Sequence, residues 1–254
     1  MGWKLESRMD DVSDLGHWLT VGRRAEDENM ALEALRAYRR VLTFDGRHLE
    51  ALLGLARVCL LLGEFERALE YLTLVLVQRR DMAEAYRLRG IAMVNLELVE
   101  SGLDAFDRAI ELAPENAEMW FSRGTSLLEL GVLGRAEADL QRAHGLASAD
   151  AEIALRLLEA RLCSRAGLEA GDEALLEVAR GCEEDPLFAL LEAELLWRLR
   201  GEERDFLSIG RLASSPNLSL PLEGSDEAEL EELLERLHSA RLLPPATRRN
   251  AITR

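Results

Sequence analysis

Between residues 15 and 150, apolar and small positions recur every 34 residues. Large apolar side chains stand at Trp18, Leu52, Tyr86 and Trp120, each four residues ahead of a small one, Gly22, Ala56, Gly90 and Gly124. A second small series, Ala34, Ala68, Gly102 and Ala136, is followed by a bulky one, Tyr38, Leu72, Phe106 and Leu140. Val41, Val75, Ala109 and Ala143 come next. Spacings of three and four put each set on one face of a helix. The pattern predicts four helical hairpins, at 15–48, 49–82, 83–116 and 117–150. Their small residues let the partner helix approach, and their bulky residues fill the space beside it. Gly63 and Gly131 mark turns within hairpins, where the left-handed cap that stops a helix suits glycine. Pro114 cannot continue a helix interior and closes the third unit. Self-similarity at this period signals a solenoid.

Beyond residue 150 the register loosens. AEIALRLLEARLCSRAG reads as a first helix and DEALLEVARGCEEDP as a second, and a further apolar-striped helix is expected at 187–201, so 151–213 are read as degenerate repeats. Residues 214–225 are rich in Ser, Pro and Gly and predict a linker. The stretch 226–243 predicts a final helix with Leu230, Leu233, Leu234 and Leu237 on one face. Residues 1–14 and 244–254 form an N-terminal segment and a tail.

The Trp/Tyr-x-x-x-Gly series (Trp18–Gly22, Tyr86–Gly90, Trp120–Gly124), the run Gly102, Phe106, Ala109 and the closing Pro114 resemble the tetratricopeptide repeat family. The match departs at Arg89 and Arg123, where the family's leucine precedes the first-helix glycine, and at Gly102, where alanine is usual. The resemblance implies an all-α fold, a right-handed α-α superhelix or solenoid of tetratricopeptide-like hairpins, which 226–243 would cap. It also implies that first helices line the concave surface, the usual binding face of solenoids. Carried over position by position, the groove takes Leu19 and Arg23, then Leu53, Arg57 and Leu60. It continues through Arg87, Ile91 and Asn95 to Phe121, Thr125 and Leu128. Such a mixture suits a peptide with hydrophobic anchors and a carboxylate. The alternative for the three arginines is pairing with glutamates of adjacent repeats, and for Phe121 partial burial. Arg89 and Arg123 are assigned to repeat packing. Family members that grip a chaperone's C-terminal carboxylate use Lys and Asn on these helices. The corresponding sites here carry mostly Leu, Arg, Ile and Thr, and no lysine follows Lys4, so that mode does not fit.

Charge narrows the partner. The net charge of −16 disfavours nucleic acid and anionic membrane surfaces, both of which need cations. Three cysteines, Cys59, Cys163 and Cys182, give no disulfide framework. No secretory signal and no apolar run of bilayer length is visible, so a soluble cytoplasmic protein is expected. Glu50, Glu84 and Glu118 stand 34 apart in the first turns of first helices, where the helix dipole favours them; an acidic rim for a basic partner is the functional alternative. His17, His48, His144 and His238 have no metal-ligand spacing, and no phosphate loop or nucleophile elbow occurs. No metal, cofactor or catalytic residue is expected.

The leading expectation is therefore a non-catalytic protein–protein interaction scaffold or adaptor that binds a partner's peptide segment in the groove. The second reading is a self-associating or autoinhibited module using 226–243. The third, an accessory subunit of an enzyme complex, rests on no motif.

Overall fold

The structure is a computed structural model and describes residues 3–163, 172–183 and 188, with side chains from Leu15 onward. Apart from Phe188, the helix expected at 187–201 lies outside these residues. So do the linker 214–225, the C-terminal helix 226–243 and the tail 244–254. The described residues form ten α-helices and one 3-10 turn, with no strand among them. The all-α hairpin class expected from the sequence is the class observed.

The chain divides into two compact units, Met1–Pro114 and Glu115–Arg254. The first holds α1 (Trp3–Asp27), α2 (Ala31–Phe44), α3 (Leu49–Leu61), α4 (Phe65–Gln78), α5 (Ala83–Asn95) and α6 (Val99–Leu112). These pair as hairpins α1–α2, α3–α4 and α5–α6, and the first helices also pack on one another, α1 on α3 and α3 on α5. The second unit holds α7 (Ala117–Glu129), α8 (Leu133–Leu146), α9 (Ala151–Cys163), α10 (Asp172–Ala179) and a 3-10 turn at Arg180–Cys182. Second helices begin at residues 31, 65, 99 and 133, each 34 after the last, and first helices at 49, 83, 117 and 151. Helix α1 starts at Trp3, well ahead of residue 15.

The small-and-bulky series in the sequence is a steric contact. A Cβ on Gly22 would stand 2.6 Å from the Tyr38 ring, one on Gly90 would stand 2.8 Å from the Phe106 ring, and one on Gly124 would stand 2.8 Å from Leu140. Tyr38 also presses on Gly54 of α3, so one buried ring closes two helices around it. The hairpin with Ala56 in the glycine place has the slimmer Leu72 opposite. Both are fully buried.

The four turns that follow α1, α3, α5 and α7 end those helices in the same way. Asn29, Gly63, Glu97 and Gly131, again 34 apart, all take positive φ, at 56°, 73°, 64° and 75°. The residue after each donates its backbone N–H back into the helix: Met30 to Ala25, Glu64 to Cys59, Leu98 to Met93 and Val132 to Leu127, at 2.7–2.9 Å. This is the Schellman arrangement, which satisfies carbonyls a helix end otherwise leaves open. At the other end, His48, Asn116 and Asp150 cap α3, α7 and α9 with side-chain acceptors.

Candidate functional site

In the first unit the first helices bound a cleft of about 800 Å³. Helix α1 contributes Arg23, Glu26 and Asp27, and α3 contributes Glu50, Arg57, Leu60 and Leu61. Helix α5 supplies Leu88 and Ile91. Leu61 is 66% exposed and adds apolar surface to the cleft.

The charged wall is tied together. Arg57 donates Nε and Nη2 to the two carboxylate oxygens of Glu26, both at 2.9 Å. The hydroxyl of buried Tyr38 donates to the same carboxylate. The hydrogen bond to Glu26 raises the Arg57 guanidinium further above its ordinary value, with burial acting against it. Burial, then the bond to Glu26, pushes the Tyr38 phenol well above the usual range. At the outer edge Arg23 makes a fork with Glu50, its Nη2 standing 2.7 Å from Oε2. That hydrogen bond holds the Glu50 carboxyl below its ordinary value, and burial partly opposes it. Asp27 is exposed and holds no ion pair among the described residues.

Of the residues singled out from the sequence, Arg23, Arg57, Leu60 and Ile91 meet at this cleft. Leu19 and Leu53 are half-buried and pack on the cores of the first unit. Arg87 is 9% exposed and forks Glu84 of its own helix at 2.7 Å. Asn95 is exposed and donates to the Ile91 carbonyl at 2.9 Å. In the second unit Phe121 is half-buried, Thr125 donates to the carbonyls of Phe121 and Ser122, and Leu128 is buried in the core. Arg123 forks Asp139 at 2.7 and 2.8 Å and lies over the Trp120 ring, a packing role.

Sequence reasoning missed Glu26, Asp27, Leu61 and Leu88. It gives Glu50 a helix-dipole role, with an acidic rim for a basic partner as the alternative, and the structure sets it at the cleft in a fork with Arg23. One signal for Glu26 exists. It occupies the 34-residue place of Leu60, Val94 and Leu128, a carboxylate in an otherwise apolar series. Among the described residues no group of three or more His, Cys, Asp or Glu side chains is placed to hold a metal ion. No helix among them is long and apolar enough to cross a membrane.

Family models described as Tetratricopeptide repeat match residues 25–91 and 87–151. The chain is similar to a crystallised thermophilic TPR protein of Thermus thermophilus, at 24% identity and a TM-score of 0.57, over 79% of this chain and 97% of that one. It is also similar to PilF of Pseudomonas aeruginosa, at 16% identity and a TM-score of 0.60, over 89% and 99%. Both likenesses concern the fold. A stretch of 108 residues is 28% identical to the human Protein O-mannosyl-transferase TMTC1, covering 41% of this chain and 12% of that protein. The chain thus matches only a small part of that relative.

Proposed function

Because the chain belongs to the tetratricopeptide repeat family, we propose that it is a non-catalytic interaction scaffold that seats a partner's peptide segment in the cleft of α1, α3 and α5. The observation behind this reading is the cleft itself. Leu60, Leu61, Leu88 and Ile91 offer an apolar floor on the faces of first helices, and charged side chains border it. A helical or extended segment laid there would bury its anchors against those leucines and fix its register by the charges. The solenoid fold presents such surfaces by stacking first helices side by side.

Affinity capture from a native lysate tests the reading, with the wild type compared to Leu61→Arg. Leu61 is largely exposed, so the charge replaces an apolar contact without opening the core. The expected result is a protein captured by the wild type and lost by the variant at unchanged helicity. An identical set on both would overturn it.

A further inference from the structure

We propose that the cleft selects a cationic amphipathic segment, with aliphatic or aromatic anchors and Lys or Arg on its polar side. This rests on the peptide-binding reading above and reverses the sign expected from the arginines alone. Two arginines and three carboxylates border the cleft. Both arginines are already engaged, Arg57 by Glu26 and Arg23 by Glu50. A ligand carboxylate that took Arg57 would have to break a two-pronged bond. It would also leave Glu26, whose side chain is 15% exposed, without its cation. Stranding a charge in that setting costs more than the new pair returns. A cation breaks nothing: Asp27 stands exposed and without an ion pair among the described residues, and Glu50, its side chain 36% exposed, has acceptor capacity beyond its two bonds to Arg23.

Charge complementarity also chooses between a partner and the chain itself. The 226–243 stretch holds six acidic residues against two arginines, so it has the wrong sign for this cleft. The whole chain, at −16, steers cations toward itself. A separate, basic partner segment is the occupant the electrostatics favour.

A random peptide library displayed on phage, selected on the full chain and on its Leu61→Ser variant, which removes the apolar contact without adding charge, tests this. Peptides enriched on the wild type and lost on the variant should carry net positive charge and Leu- or Phe-type anchors. For one such synthetic peptide, added salt should weaken binding, and Asp27→Lys should weaken it roughly fivefold in fluorescence anisotropy. Enriched, variant-sensitive peptides of net negative charge would overturn the charge assignment and leave the cleft reading standing. A basic peptide whose affinity is unmoved by Asp27→Lys would overturn it too. If no enriched peptide responds to Leu61→Ser, the cleft reading falls, and this inference with it.

Discussion

Glu97→Gly should stabilise the α5–α6 hairpin. Glu97 holds φ at 64°, in the left-handed region, where its counterparts at 63 and 131 are glycine. A side chain there crowds the following carbonyl at a cost of about 1–2 kcal/mol. Glycine removes that cost but brings a more disordered unfolded chain, which takes back about 0.5–1 kcal/mol. The net gain is about 0.5–1 kcal/mol, or roughly two- to fivefold in a local opening constant. Nothing else should change, because Glu97 is exposed and holds no ion pair among the described residues. Repeat chains open in parts, so one global melting point is a blunt readout. Amide hydrogen exchange within α5 and α6 reads the hairpin directly, and slower exchange there is the expected result. Gly63→Ala is the mirror experiment. An added Cβ at Gly63 meets no heavy atom within 4 Å, so its cost, about 1 kcal/mol, would come from the dihedral alone. Exchange in α5–α6 that is unchanged or faster in Glu97→Gly would refute this reasoning.

Three further outcomes follow from the packing and the charges. Gly90→Ala drives a methyl to 2.8 Å from the Phe106 ring and should cost about 1–3 kcal/mol in urea unfolding. Adding Phe106→Leu should recover part of that loss, as the Ala56–Leu72 pair does in its own hairpin. Glu26→Gln removes the charge that Arg57 and Tyr38 share and should cost about 1–3 kcal/mol, read as faster exchange across α1–α3. Acid should act through Glu50, whose carboxyl lies below its ordinary value in the folded chain because Arg23 bonds it. Its contribution is complete above the unfolded value and fades as pH falls through the folded one. The stability gap between wild type and Glu50→Gln should therefore close in acid.

The hairpins were legible in the sequence because sterics wrote them there. Bulky Tyr38, Phe106 and Leu140 each force glycine onto the facing helix, and in the hairpin with Leu72 an alanine, Ala56, stands in that place. Two of the four turns were not legible. Asn29 and Glu97 take the same backbone conformation as Gly63 and Gly131, but the Schellman bonds hold them there without the residue that announces it. The charges of the cleft were half legible. Arg23 and Arg57 stood out as cations on first helices, but their partners lie 27 and 31 residues away, Glu50 and Glu26, beyond any helix-face spacing. Only the packing of α1 on α3 brings them together. Pairing with glutamates of adjacent repeats, the alternative to a ligand carboxylate, is what Arg23 and Arg57 show. Spacing alone cannot choose between the two, and so cannot fix the sign of the ligand. Leu128 illustrates the same limit in the second unit. Its ladder place matches Leu60, yet it is buried in the core while Leu60 is only half-buried at the cleft.

The most direct test of the scaffold account is photo-crosslinking in cells, with a benzophenone amino acid at position 61 or, separately, at position 77. Leu61 lies at the cleft, and Val77, at 72% exposure, is on second helix α4. The account predicts a discrete crosslinked partner from position 61 and none from position 77. A partner captured from 77 and not from 61 would contradict it and move the interaction to the second helices.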